Sequence, residues 1–150
     1  MANTYTALHY HIVFSTKNRE PWLIAAKEVK VWEYFGGIAR NNSMKALQVG
    51  GYDDHIHVLL AVPASVSVSK AVQLLKGASS RWIHGTWPEL AGFAWQDGYG
   101  AFTVGVSQIA DTVHYIQGQR DHHSSKSFQD EYLHFLHKHG VEYDERYIWG

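Results

Sequence analysis

The order in which strand-type and helix-type patterns follow one another restricts the fold of this chain more than any other feature. Alternating or continuous apolar runs predict four strands, at residues 5–16, 44–51, 55–62 and 101–106. Apolar residues at helical spacing predict two helices, at residues 20–42 and 65–86. The order β-α-β-β-α-β is typical of the α+β class with a ferredoxin-like split βαβ arrangement. We therefore expect an antiparallel sheet with helices on one face.

Additional helices are predicted after the last strand. Ser107 is a candidate N-cap for a helix that contains Val113 and Ile116. A final helix is predicted over residues 127–139, where Gly140 ends it. Because the chain has 150 residues and no repeat or linker, we expect one domain over 1–150. Within it, residues 5–140 are the expected folded core and residues 141–150 an acidic tail.

The composition excludes several functional classes. The chain has no cysteine, so disulfide scaffolds, iron–sulfur clusters, thiolate zinc sites and cysteine nucleophiles are ruled out. No apolar run approaches the roughly 20 residues that cross a bilayer. Residues 1–18 lack the apolar stretch of a secretory signal. We therefore expect a soluble protein in a reducing, cytoplasmic compartment.

The formal net charge of −1 is unevenly distributed along the chain. Residues 1–109 carry nine Lys/Arg and seven Asp/Glu, whereas residues 110–150 carry four and seven. A net charge near zero argues against indiscriminate binding of duplex nucleic acid, which depends on neutralising many phosphates. A mildly basic body with an acidic C-terminal part is still compatible with local phosphate contacts.

A His-Ile-His tripeptide on the third predicted strand is the first candidate for chemistry. Side chains alternate along a strand, so His55 and His57 project from the same face while Ile56 faces the other way. Two neutral imidazoles on a rigid strand are a good start for a divalent-metal site. The alternative is a pair of half-exposed polar residues on an amphipathic strand. His9 and His11 share a face in the same way and are a second candidate pair or a supporting layer.

A tyrosine and a glutamine on a predicted helix are the second candidate. Tyr115 and Gln119 are four residues apart, so a continuous helix would present them on one face. A phenol with a free pKa near 10 becomes a nucleophile only when a metal-polarised phosphate or a neighbouring base helps it. The alternative is an ordinary amphipathic helix with a surface tyrosine.

Taken in order, these motifs resemble the HUH single-tyrosine transposases of the insertion-sequence 200/605 group, including their repeat-associated relatives. The resemblance runs from about Tyr5 to Gly140. The segments that carry it are Tyr10–Lys17, Asp54–Leu60, Ser69-Lys70, Leu75–Gly77, Tyr115-Ile116, Gln119 and His122-His123.

The resemblance implies a metal-dependent enzyme that cleaves and rejoins single-stranded DNA through a 5′-phosphotyrosine intermediate. It implies that His55, His57 and Gln119 hold a Mg²⁺ or Mn²⁺ ion, and that Tyr115 on the C-terminal helices is the nucleophile. It also implies a homodimer, whose tyrosine can act in its own or in its partner's site, and DNA with hairpins near the ends of an element.

Basic side chains are candidates for phosphate contacts, and the alternative for each is an ordinary solvated surface charge. These candidates are Lys17, Arg19, Lys70, Lys76, Arg81 and Arg120. Two other functions stay open from the residues alone. One is a non-catalytic ferredoxin-like domain that binds single-stranded nucleic acid. The other is a metal-dependent hydrolase or oxygenase of small molecules.

Overall fold

Four antiparallel strands form one sheet in the computed structural model, which describes residues 3–123 and 126–150. The strands are β1 (His9–Ser15), β2 (Lys45–Tyr52), β3 (His55–Ala61) and β4 (Gly100–Thr103). Their order across the sheet is β2-β3-β1-β4, and every neighbouring pair is antiparallel. The predicted α+β class and the ferredoxin-like arrangement are confirmed.

Helices cover both faces of the sheet. The helices are α1 (Ala25–Asn41), α2 (Val68–Thr86), α3 (Ile109–Gln117), the short α4 (Gln119–His122) and α5 (Phe128–Lys138). Helices α1 and α2 pack on one face around the main apolar core. The C-terminal helices lie on the opposite face, where α5 contributes most of a smaller apolar cluster.

The alternation of side chains in the two central strands separates an apolar face from a polar one. Ile12 of β1 and Val58 of β3 are fully buried in the core formed with α1 and α2. His11, His55 and His57 project from the other face, and all three are buried by the C-terminal helices. The predicted strand parity therefore places the histidine pair between the sheet and the last third of the chain.

The boundaries of the C-terminal helices differ in part from the sequence-based prediction. Ser127 caps α5, because its hydroxyl accepts a hydrogen bond from the backbone N–H of Asp130, and Gly140 follows the helix with φ +65°. Ser107 is not an N-cap, since it lies in a 3₁₀ turn and α3 begins after Gln108. The helix expected to be continuous through Tyr115 and Gln119 is interrupted at Gly118, the residue with the lowest helix propensity apart from proline.

The acidic C-terminal segment packs back on the domain. Trp149 lies against Phe128 and Tyr132, with ring centroids 6.5 and 6.0 Å apart. The backbone N–H of Gly98 donates to the carbonyl oxygen of Gly150 at 2.9 Å. The sequence suggested residue 140 as the end of the folded core. These contacts extend the folded part of the chain beyond that residue.

No helix within residues 3–123 and 126–150 is both long enough and apolar enough to cross a membrane.

Gly50 sets how closely α3 approaches the sheet. It pairs with His57 across β2 and β3, and a Cβ atom built on it would lie 2.6 Å from the carbonyl oxygen of Ile116. That approach is too close for any side chain, so only glycine lets the backbone of α3 rest on β2 at this point. Tyr115 precedes Ile116, so the contact brings the tyrosine close to the histidine pair.

We expect the substitution Gly50→Ala to lower the free energy of unfolding by about 1–3 kcal/mol, because the added methyl group pushes against backbone of α3. The matched control is Gly77→Ala in α2, whose Cβ would meet only the end of Arg81 at 3.6 Å. That change should leave stability unchanged or raise it by about 0.5–1 kcal/mol, since alanine favours a helix. Urea unfolding monitored by circular dichroism measures both. Equal stability of Gly50→Ala and the wild type would show that α3 does not rest on β2.

Candidate metal and tyrosine site

Two imidazoles on β3 are each fixed through one ring nitrogen. His55 Nδ1 lies 2.8 Å from the Oδ1 atom of Asp54, and His57 Nδ1 lies 2.7 Å from the Nε2 atom of His11. Both histidine side chains are fully buried, with ring centroids 5.1 Å apart. Fixing Nδ1 orients each ring so that its Nε2 atom faces the C-terminal helices, as is common for metal-binding histidines.

Gln119 contacts this histidine pair. Its Oε1 atom lies 3.0 Å from His55 Nε2, and its side chain is buried. The break at Gly118 does not separate it from Tyr115, because both side chains converge on the same carboxylate of α5.

That carboxylate belongs to Glu131, a residue that none of the sequence motifs singled out. Its Oε1 atom lies 2.9 Å from His57 Nε2, 3.4 Å from His55 Nε2 and 3.0 Å from His123 Nε2. Only 1% of Glu131 is exposed, although it carries a charge. A signal was present in the sequence: Glu131 lies three residues after Phe128 and four before Phe135, on the apolar stripe of the predicted last helix.

The Tyr115 hydroxyl donates a hydrogen bond to Oε2 of Glu131. The Gln119 amide nitrogen donates to the same oxygen at 3.0 Å. The Tyr115 ring lies 5.8 Å from the His57 ring, measured between centroids. Burial and the negative charge of Glu131 raise the pKa of Tyr115 well above its ordinary value. Tyr115 is thus a phenol that donates its proton toward a carboxylate.

The charges of the centre follow from these contacts. Burial opposes protonation of His55, but hydrogen bonds to Asp54 and Glu131 outweigh it and raise its pKa to about 9. Burial lowers the pKa of His57, despite the nearby carboxylate. Burial alone would raise the pKa of Glu131, but the electrostatic interaction with His57 and hydrogen bonds from the surrounding histidines hold it well below its usual range. Glu131 is therefore ionised.

The donor atoms fit a divalent cation. One ligand atom each from His55, His57, His123 and Glu131 lie within 4.8 Å of one another. Imidazole nitrogens, a carboxylate and the amide oxygen of Gln119 form a mixed set that suits Mn²⁺ and can also hold Mg²⁺. His11, from the second candidate pair, contacts His57 and serves as its support.

The basic residues proposed for phosphate contacts do not share one surface. Lys70, Lys76 and Arg81 lie on α2, which packs on the face of the sheet opposite the site. The Lys76 ammonium donates to three backbone carbonyl groups of residues 96–98, at 2.7, 3.1 and 2.7 Å. Arg120 forms ion pairs with Glu28 and Asp53, so it links α4 to α1 and to the hairpin turn.

Lys17 and Arg19 are nearer to the site. They directly follow β1, whose last residue, Ser15, pairs with His55. They therefore lie at the end of the sheet that carries the histidine pair.

Comparisons with known proteins identify relatives over most of the chain. The family described as "Transposase IS200 like" matches residues 4–119. The chain is 31% identical over 121 residues to the transposase for insertion sequence element IS200 of Salmonella typhimurium, covering 75% of this chain and 79% of that protein. It is 28% identical over 119 residues to the ISDra2 transposase TnpA of Deinococcus radiodurans, covering 76% of this chain and 85% of that protein.

Solved structures show a similar fold. The crystal structure of a candidate transposase from Deinococcus radiodurans R1 aligns with a TM-score of 0.65 and 26% identity, covering 79% of this chain and 96% of that chain. A REP-associated tyrosine transposase bound to a REP hairpin aligns with a TM-score of 0.56, covering 79% of this chain and 70% of that chain. At 14% identity this second similarity shows a shared fold.

We expect His57→Ala to lower the Mn²⁺ affinity of the protein by about 10–100-fold or more, because the change removes a nitrogen at the centre of the donor set. Isothermal titration calorimetry measures the affinity, and thermal unfolding verifies that the variant keeps a cooperative transition. The control is His134→Ala, which removes an exposed imidazole from α5 and should leave the affinity unchanged. Unchanged affinity in both His55→Ala and His57→Ala would exclude this pair as the metal site.

Proposed function

Because the chain belongs to the family of IS200-like transposases, we propose that it cleaves and rejoins single-stranded DNA with Tyr115 as the nucleophile. The observation that carries this proposal is the hydroxyl of Tyr115, which lies in the same buried centre as His55, His57 and Gln119. A phenol next to a set of metal-binding donors is suited to attack on a phosphodiester. If Tyr115 were only a surface residue of an amphipathic helix, its hydroxyl would have no reason to lie among these donors.

The proposed reaction conserves the number of phosphodiester-type bonds. The phenolic oxygen loses its proton and attacks phosphorus, and the bond from phosphorus to the 3′ oxygen breaks. The departing strand takes up a proton as a 3′-hydroxyl, and the other strand stays attached to Tyr115 through a 5′-phosphotyrosine. A later 3′-hydroxyl attacks this phosphotyrosine and releases the phenol. Strand transfer therefore needs no ATP.

His55, His57 and Gln119 are the proposed protein ligands of a Mg²⁺ or Mn²⁺ ion. When bound, such an ion withdraws charge from the phosphate and makes the phosphorus easier to attack. Two imidazoles and an amide are softer than the all-oxygen shell that Mg²⁺ prefers, so we expect tighter binding of Mn²⁺.

A cavity next to Tyr115 offers space for part of the DNA. Its volume is about 320 Å³, and Phe102, Phe135 and Lys138 are among the residues that line it. Aromatic walls suit an unpaired base, and a lysine suits a phosphate. We propose single-stranded DNA that contains a hairpin as the substrate, since a protein of the same fold is bound to a REP hairpin.

The proposed catalytic groups of one chain contact one another. Tyr115 meets Glu131 of its own chain, and Glu131 meets His57 of that chain. We therefore propose that Tyr115 acts on DNA held at the histidines of its own chain, including in the homodimer that we also propose.

We expect Tyr115→Phe to abolish the covalent protein–DNA adduct while the dissociation constant for hairpin DNA changes by less than about threefold, because one oxygen is lost and little packing surface. The wild type and the variant are incubated with Mn²⁺ and labelled single-stranded hairpin DNA and resolved by denaturing electrophoresis. Tyr147→Phe, at a residue that is 72% exposed, is the control and should form the adduct normally. An adduct with Tyr115→Phe would assign the nucleophile elsewhere, whereas DNA binding by the wild type without any adduct would favour the non-catalytic binding domain.

Mixing experiments distinguish action within one chain from action across two. Dimers that contain one Tyr115→Phe chain and one His57→Ala chain have no chain with both groups intact. We expect such mixtures to form no adduct, since both groups must come from the same chain. Recovery of the adduct in the mixture, with neither variant active alone, would show that Tyr115 acts in the partner's site.

A further inference from the structure

We propose that Glu131 on α5 belongs to the catalytic centre: one carboxylate oxygen adds a charged ligand to the metal site, and the other holds the Tyr115 hydroxyl. This inference rests on the proposed function, because it assigns a role to a residue within the same site. The carboxylate was not among the ligands implied by the family resemblance. It lies on a helix beyond residues 4–119, the part of the chain that the family matches.

The two carboxylate oxygens face different groups. Oε1 lies among the imidazole nitrogens, 2.9 Å from His57 Nε2 and 3.0 Å from His123 Nε2. Oε2 accepts hydrogen bonds from the Tyr115 hydroxyl and from the Gln119 amide. The Glu131 carboxylate thus contacts the proposed nucleophile, Tyr115, and two of the expected ligands, His57 and Gln119.

The charge of Glu131 supplies what the other ligands lack. His55, His57 and Gln119 would bring only neutral donor atoms to a divalent cation, whose charge they leave uncompensated. A carboxylate is a preferred ligand of Mg²⁺ and Mn²⁺ and neutralises part of that charge. The imidazole and amide donors carry no negative charge, so Glu131 is the proposed ligand that supplies it. Removing this charge while keeping the shape of the side chain should therefore weaken metal binding.

The position of α5 makes this carboxylate a fixed part of the site. Ser127 caps the helix start, and Phe128 and Phe135 bury its apolar stripe against the sheet. Glu131 is 1% exposed between these two anchors. The Tyr115 hydroxyl is therefore held by a side chain that cannot easily move away, and a positioned nucleophile reacts faster than a free one.

The substitution Glu131→Gln keeps the shape of the side chain and an acceptor oxygen but removes its charge. Calorimetric titration with Mn²⁺ alone should show at least about a tenfold loss of affinity. Asp130→Asn removes one charge from the neighbouring, exposed position of α5 and should change the affinity by less than about twofold. Affinity of Glu131→Gln within twofold of the wild type overturns the ligand role.

Glu131→Ala tests the hold on Tyr115, because it removes the acceptor as well as the charge. At saturating Mn²⁺, the Gln variant should recover most of the rate of adduct formation with hairpin DNA, and the Ala variant should stay at least about tenfold slower. DNA affinity should be unchanged in both. Equal rates for Glu131→Ala and the wild type at saturating Mn²⁺ overturn the positioning role.

The wild-type protein provides a test that does not depend on the folding of a variant. Carbon-13 NMR of glutamate carboxyl groups distinguishes Glu131 once its signal is assigned. Substoichiometric Mn²⁺ should broaden this signal first among the seven glutamates, and simultaneous broadening of all of them contradicts the proposal.

Failure of this inference is distinguishable from failure of the proposed function. If the wild type forms no adduct but Glu131→Gln loses Mn²⁺ affinity, the ligand role stands and the proposed DNA chemistry falls. If the wild type forms the adduct and both Glu131 variants match it in affinity and rate, the proposed function stands and the role of Glu131 falls.

Discussion

Burying imidazoles between a sheet and its covering helices obliges the protein to give every one of them a polar partner. A buried polar group without a hydrogen bond destabilises the folded state, and an unpaired buried charge does so more strongly. Here β3 turns two histidines away from the main core, and the remaining structure supplies their partners. Asp54 and His11 fix one nitrogen of each ring, and Glu131 meets the other side. The C-terminal helices therefore supply polar partners to this face of the sheet as well as the apolar cluster that packs on it.

The residues of the site come from two parts of the fold, a central strand of the sheet and the C-terminal helices. The histidines lie on β3, a central strand that pairs on both sides, and a strand holds functional side chains more precisely than a loop does. The C-terminal helices supply Tyr115, Gln119 and Glu131. The contact between Gly50 and Ile116 sets the distance of α3 from the sheet. In the proposed reaction, Tyr115 would need little movement to reach a phosphate bound at the histidine pair. The same fold could bind single-stranded nucleic acid without chemistry, and the convergence of these groups favours the proposed cleavage over binding alone.

The sequence was sufficient for the parts that depend on local pattern. Alternation within β3 predicts that His55 and His57 share a face, and the order of patterns predicts the sheet. Contacts between distant segments could not be predicted in this way. Glu131 contacts His57, which lies 74 residues earlier in the chain. Its position on the apolar stripe of a helix indicated that it is buried but not which residue it contacts. Lys76 was equally ambiguous, since an exposed lysine and one that binds backbone carbonyls look the same in a sequence. The interruption at Gly118 follows from helix propensity, yet tertiary contacts keep Tyr115 and Gln119 together across it.

We infer that groups from the sheet and from the C-terminal helices together hold one divalent cation next to Tyr115. Crystals of the wild-type protein grown with Mn²⁺ test it most directly, through the anomalous scattering of manganese. We expect one strong anomalous peak within ligand distance, about 2.1–2.3 Å, of His55 Nε2 and His57 Nε2, with the oxygens of Gln119 and Glu131 facing it. A peak only at the exposed histidines of α5, with none between β3 and the C-terminal helices, would contradict it.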